Sequence, residues 1–361
     1  MTKSTGRRAG ASDGSVGNGT GRRRATINDI ARLAGVSKKT VSRVINRSPF
    51  VKTETREKIE ALMKELGYRP DPQARGLAFR RSFLIGMIYD NPNPQYVVHV
   101  QQGILDAVRE GGFELVVHPC NRADPNFHEQ VRGFVEQLKL FGVVLTPSVS
   151  EDETLVEILR ELECPYVRVA SVSLDETERM IVTHDAIGAA EAARHLADLG
   201  HRRIAFITGL PTFRSSHERR RGFAEGLAER GLKLDPAYVM EGAYTFESGV
   251  ECATKLLAMK EPPTAIFTGN DEMAVGVYKA AREAGLSIPR DLSIVGFDDS
   301  PMAARLWPTL SSVRLPIRDM GRFAAEKLIE LTREGGGQPS DKPIVVPRLV
   351  ARESAGPPSK A

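Results

Sequence analysis

The chain has 361 residues, enough for two or three domains with full cores. Hydrophobic residues make up 41% and charged residues 27%, with no apolar run near the ~18 residues of a membrane span, so a soluble globular protein is expected and a membrane-spanning one is not. The net charge of +4 conceals an asymmetry: residues 1–82 hold 19 Lys and Arg against 7 Asp and Glu, which leaves a net of about −8 on the rest, and a basic head on an acidic body favours nucleic-acid contact at one end only.

Residues 1–24 are mostly Gly, Ser, Thr, Asn and Arg, a composition that buries no core. A disordered basic tail is expected there, with Arg22, Arg23 and Arg24 within reach of phosphate. Thr26 followed by Asp29 is a helix-capping pattern, and Ile30, Leu33 and Ala34 then fall on one face of a first helix. Gly35 supplies a turn. Ser37 caps a second helix whose first turn holds Lys38, Lys39 and Thr40. Val41, Val44 and Ile45 face inward, while Ser42, Arg43 and Asn46 lie off that face. Cations in the first turn oppose the helix dipole. Either they are solvated surface charge or they are held there for a groove, where Lys donates to guanine O6 and N7. Thr53 is placed to cap a third helix, 54–66, with Ile59, Leu62, Met63 and Leu66 at helical spacing. Two short helices joined by a tight turn, the second rich in cations, make a helix-turn-helix.

The stretches TINDIARLAGVSKKTVSRVIN (26–46), VKTETREKI (51–59), LGYRP (66–70) and QARGL (73–77) resemble, in order and spacing, the headpiece of the lactose-repressor/galactose-repressor family of bacterial transcription factors. The resemblance implies a homodimer that reads a pseudo-palindromic DNA operator. It places Lys38 and Lys39 at two base-reading positions and Arg43 at a third, with Thr26, Ser37, Thr40, Ser42 and Asn46 on phosphates. Pro70 and Pro72 end the third helix. By the resemblance, 73–77 is then a hinge helix whose Arg75 and Leu77 enter the minor groove, Leu77 as a wedge. Gly76 within it costs about 0.5–1 kcal/mol of helicity.

From residue 83 short apolar strands alternate with helices. Strands are expected at 83–89, 114–118, 142–145, 166–169, 203–207, 239–241, 265–267 and 292–295. Helices are expected at 98–111, 131–139, 155–162, 186–199, 219–230, 249–257 and 271–284. After residue 312 the chain crosses back through a helix at 320–331 and ends with a strand at 344–350. This alternation predicts two doubly wound α/β lobes built on parallel sheets. The expected organisation is a tail at 1–24, an all-α helix-turn-helix headpiece at 25–69 and a hinge at 70–82. A first lobe follows at 83–182 with 314–338, and a second at 183–313 with 339–361. The body resembles periplasmic sugar-binding proteins, as the sensor core of the family does.

Ligands of such folds sit at the carboxyl ends of strands. Asp298 ends one strand with an acceptor for hydroxyl groups, although it also fits a turn. Asn270 and Asp271 end another, Asp271 reading mainly as a helix cap. Arg219 is expected to open a helix after 208–211, either facing a ligand or pairing with a carboxylate. By the resemblance, Asp298, Asn270 and Arg219 are central effector-binding positions. Phe213 and Tyr244 match aromatic walls, and Asp90, Asn91 and Tyr96 match contact positions on the first lobe, where Tyr96 fits core packing equally well. Ala170 stands where several relatives place an Asp.

Phosphate-binding glycine motifs are absent from the sequence and no G-x-S-x-G elbow follows a strand, so no enzyme is expected. Cys120, Cys164 and Cys252 fit no zinc or redox spacing, and His195 and His201 lack the spacing of a metal pair, so no metal or cofactor is expected beyond a small-molecule effector. The odd cysteine count and the lack of a secretory signal point to the cytoplasm. No leucine heptad closes the chain, so a dimer is expected. The expected function is an effector-controlled transcriptional repressor of sugar-utilisation genes. A purine corepressor and a sugar-binding protein without specific DNA readout are the alternatives.

Overall fold

The computed structural model describes residues 25–45, 50–68, 82–332 and 345–359. The expectations for 1–24, for Asn46 and for the hinge helix with Arg75 and Leu77 lie outside the described residues. The chain forms two compact units, one up to Ala74 and one after it.

The first unit contains α1 (Ile27–Ala34), α2 (Lys38–Ile45) and α3 (Thr53–Glu65). Thr26 and Asp29 close a reciprocal capping box, with Thr26 N 2.9 Å from Asp29 Oδ2. Gly35 ends α1 in the left-handed region, at φ 67°, which glycine adopts without steric cost. Ser37 Oγ accepts from Thr40 N at 3.1 Å and so starts α2. Ile30, Ala31, Ala34, Val41, Val44 and Ile59 form the small core. Leu33, expected inward, is 47% exposed. At 100° per residue it lies roughly 110° from the centre of the face that Ile30, Ala31 and Ala34 share. Thr53 does not cap α3: it is the first helical residue, and Lys52 before it makes no side-chain cap.

In the second unit β1 (Leu84–Tyr89), β2 (Glu114–Pro119), β3 (Gly142–Leu145), β4 (Tyr166–Ala170) and β5 (Met180–Val182) form a parallel sheet in the order β2-β1-β3-β4-β5. Helices α4 (Pro94–Gly111), α5 (Phe127–Leu138) and α6 (Glu153–Glu161) connect them. The chain then passes through α7 (Asp185–Asp198), β6 (Ile204–Thr208), α8 (Arg214–Ala228), β7 (Val239–Glu241), α9 (Phe246–Leu257), β8 (Ala265–Thr268), α10 (Asp271–Glu283), β9 (Ser293–Asp298) and β10 (Ser311–Arg314). Helix α11 (Ile317–Leu331) packs against α4 and β4 of the first lobe, and β11 (Arg348–Val350) returns to the second. The second sheet runs β11-β10-β9-β8-β6-β7.

The fold is therefore a helix-turn-helix region followed by a two-sheet α/β body, with each strand order reversing beside its first strand as doubly wound sheets do. Several details of the body differ from the sequence reading. β5 and β10 were not foreseen, because three or four residues beside longer loops carry too little periodicity. β11 lies antiparallel to β10, with Val313 opposite Leu349, so the second sheet is not wholly parallel. α8 starts at Arg214, five residues before the expected start at Arg219.

Candidate functional site

A cleft lies at the carboxyl ends of both sheets and is lined from both lobes. The first lobe builds its side with a run of Asn and Pro after β1. Asn91 Oδ1 accepts from Asn93 N at 2.8 Å, and Asn93 Oδ1 accepts from Gln95 N at 3.0 Å and caps α4. Pro94 at the first helical position fixes that entry. Tyr96 thereby sits in the first turn of α4, buried, with its hydroxyl unpartnered. Burial, followed by the nearby carboxylates of Asp185 and Asp298, raises its pKa. Ser171, one residue past β4, is also buried with an unpartnered Oγ.

The second lobe supplies the charges. Arg219 Nε donates to Asp185 Oδ2 at 2.7 Å, and Nη1 donates to the Gly269 carbonyl. The guanidinium carbon lies 3.7 Å from the centroid of the Phe297 ring. Burial works against this charge, but Asp185, Tyr244 and Asp298 outweigh it and the Arg219 pKa is raised. Thr183 donates its hydroxyl to Asp185 Oδ1, so the carboxylate is held from two sides. Asp298 is buried at the end of β9 with a backbone φ of 106°, a conformation costly for a residue with a Cβ. Among the described residues nothing donates a hydrogen bond to its carboxylate. Burial raises its pKa well above the usual carboxylate range, Arg219 offsets part of this, and Asp271 and Asp185 add to it.

Tyr244 and Phe213 form an aromatic corner, ring centroids 5.5 Å apart at 68°. The Tyr244 hydroxyl is hydrogen-bonded to Ser216 Oγ at 2.7 Å. Gly209 makes room for this ring: a Cβ there would stand 1.9 Å from Tyr244 Cζ. Asn270 spends its side chain on positioning. Its Nδ2 donates to the Tyr244 carbonyl at 3.0 Å, and its Oδ1 accepts from Met273 N at 2.9 Å as the cap of α10. Asp271 is thus not the helix cap. Its carboxylate accepts from Ser300 N and Ser312 Oγ, each at 2.6 Å, and burial pushes its pKa up to about 7.

The two lobes also touch beside the cleft. Glu151, in a short turn of the first lobe, accepts from Arg214 N, the first residue of α8, at 3.2 Å. Phe213 before it offers no side-chain cap, so a carboxylate of one lobe caps a helix of the other.

Of the sequence-selected residues, Asn91, Tyr96, Phe213, Arg219, Tyr244, Asn270 and Asp298 line this cleft together. Asp90 does not; its Oδ2 accepts from Arg122 N at 3.2 Å instead. The sequence reading did not select Asn93, Pro147, Ser171, Thr183, Asp185 or Ser215, which also line it. Ser171 was within reach of the strand-end rule. Thr183 and Asp185 follow the unforeseen β5.

In the head, Lys38, Lys39 and Arg43 are exposed on α2, whose buried residues are Val41 and Val44. Thr26, Ser37 and Thr40 use their hydroxyls in the helix starts. Ser42 is half-buried on the same helix.

A helix-turn-helix joined to a two-lobed body with a polar cleft defines a DNA-reading regulator with a ligand-binding module. Residues 26–71 match the family model "Bacterial regulatory proteins, lacI family", and residues 193–355 match the "Periplasmic binding protein-like domain". The catabolite control protein A of Priestia megaterium is 35% identical over 308 residues, covering 84% of this chain and 91% of that protein. A lac repressor dimer bound to operator and the anti-inducer ONPF superposes with a TM-score of 0.72 at 28% identity, over 92% of this chain and all of the other. A transcriptional regulator CelR–cellobiose complex gives 0.67 at 30% identity, with the same coverage. The chain belongs to the lacI family of bacterial regulatory proteins and is a DNA-binding transcriptional regulator.

Proposed function

We propose that the protein is a repressor of sugar-utilisation genes that binds a pseudo-palindromic operator as a dimer and is controlled by a sugar effector in the cleft. The observation that carries this reading is a single cleft lined from both lobes, where Tyr96 of one faces the Arg219, Tyr244 and Asp298 group of the other. A ligand that touches both lobes changes their relation, and coupling of that change to the DNA-binding end alters operator affinity. Asp298 accepts hydroxyl hydrogens, and the aromatic corner packs on the apolar face of a pyranose ring. The sugar-bound relative supports this chemistry. Lys38, Lys39 and Arg43 read bases, and Thr26, Ser37, Thr40, Ser42 and Asn46 contact phosphates, with Arg75 and Leu77 in the minor groove.

Operator selection from a random duplex pool at near-physiological salt, repeated with a panel of sugars and purines, tests the proposal. Recovery of a pseudo-palindrome whose binding one sugar alters is the expected result. A response to a purine alone, or only salt-sensitive, sequence-blind binding, would overturn it.

A further inference from the structure

We infer, resting on the cleft as the effector site, that the effector is an electrically neutral polyhydroxyl compound, and that Ser171 joins Tyr96 as a hydroxyl that binds it from the first lobe. Among the described residues Arg219 is the one cation lining the cleft, and its charge is already paired: Nε donates to Asp185 at 2.7 Å, while Nη1 donates to the Gly269 carbonyl and one face lies on Phe297. Beside this pair Asp298 adds little fixed charge, because burial favours its protonated form, as it does for Asp271 behind it. A phosphate or carboxylate would therefore find the cation of the cleft already paired with Asp185, and a cationic ligand would find that carboxylate already paired with Arg219. What remains favourable is a neutral group that donates to Asp298.

Among the described residues the first-lobe side carries no lining charge. It presents Asn91, Asn93 and the hydroxyls of Tyr96 and Ser171. Both hydroxyls belong to residues more than nine-tenths buried, and both lack a hydrogen-bond partner. Buried polar groups without partners are rare because each forfeits its hydration, so two of them in one cleft mark where a ligand supplies the missing bonds. Ala170, immediately before Ser171, contributes only a methyl group. Without a carboxylate at that position, recognition on this side rests on neutral hydrogen bonds.

The test is calorimetric titration of the full-length protein with matched sets. Each set contains a neutral compound (methyl glucopyranosides, methyl galactopyranosides, cellobiose), the corresponding uronate and the corresponding 6-phosphate, with hypoxanthine as a separate probe. Binding by at least one neutral member, with its uronate and phosphate weaker by about tenfold or more, is expected. An anionic member or hypoxanthine binding as tightly as any neutral one overturns the inference while leaving an effector cleft in place. No binding by any probe overturns the effector reading itself. For the neutral compound that binds, Ser171→Ala and Tyr96→Phe should each weaken affinity by roughly 3- to 10-fold without lowering Tm, because the free protein gives those hydroxyls no partner. A lowered Tm with unchanged affinity would assign the hydroxyls to the fold instead.

Discussion

At the scale of single residues, the Arg219–Asp185 pair governs the cleft. Both partners are buried, and removing one leaves the other charged and uncompensated. Arg219→Ala should cost about 3–5 kcal/mol in urea unfolding followed by circular dichroism, while a joint apolar replacement of both residues should cost much less. A loss under 1 kcal/mol for the single change would mean that the pair is not a structural unit. Asp271 permits a prediction in pH. Its folded pKa, about 7, lies above its ordinary value of 3.8, so the folded state holds the extra proton between those limits. Its contribution to stability is complete below pH 3.8 and is lost as pH rises through about 7. Histidines whose pKa burial lowers, His99, His118, His195 and His201, act in the opposite sense below pH 6.5. The quantity to measure is therefore the difference between Asp271→Asn and the natural protein from pH 5 to 8.5. That difference should move in favour of the variant as pH rises, and a flat difference would contradict the raised pKa.

At the scale of elements, helix starts recur as functional positions. α1 begins with the Thr26–Asp29 box, and Thr26→Ala should destabilise the head by about 0.5–2 kcal/mol in thermal unfolding. α2 begins with two cations and no acid, an arrangement unfavourable to the helix alone. Lys39→Ala should change which operator sequences are preferred, whereas a phosphate-only role would weaken all duplexes alike and reduce the salt slope by about one. α8 is capped from the other lobe by Glu151, whose pKa burial raises although Arg214 and Arg122 offset part of the shift. Glu151→Ala removes a contact that exists only while the lobes are together. It should favour lobe separation by roughly 1 kcal/mol, read as a larger radius of gyration in X-ray scattering without ligand. No change in radius, with or without ligand, would show that the contact does not hold the lobes.

At the scale of the whole molecule, the body is two sheets joined by strands and helices that cross between lobes. The described crossings run from β5 into α7 and from β10 into α11. The cleft lies beside both, with Thr183 and Asp185 on the first and Leu315 on the second. On the proposed function, ligand-dependent rotation about these crossings would carry occupancy of the cleft to the DNA-binding end. Sedimentation at micromolar concentration should give the mass of two chains, and a mass of four chains would refute the dimer.

The sequence by itself determined the kind of protein. The capping patterns, Gly35 and the cation-rich α2 are local, so the helix-turn-helix was legible from spacing alone. Alternating apolar strands and helices determined the layered body; the strand-end rule pointed to Arg219, Asn270 and Asp298, while Phe213 and Tyr244 came from the resemblance, and all five line the cleft. Only the tertiary structure decided what each of those residues does. Asp185 is 34 residues from Arg219, and no local pattern announces their ion pair. Asn270 turned out to position Tyr244, and Asp271 to bind Ser300 and Ser312, because those partners arrive from remote segments, whereas the Asn270 cap on α10 is local. The pairing of β11 with β10, and the Glu151 cap on α8, likewise join segments remote in sequence. Periodicity reports which face of an element is buried; which groups meet across that face depends on how the elements pack.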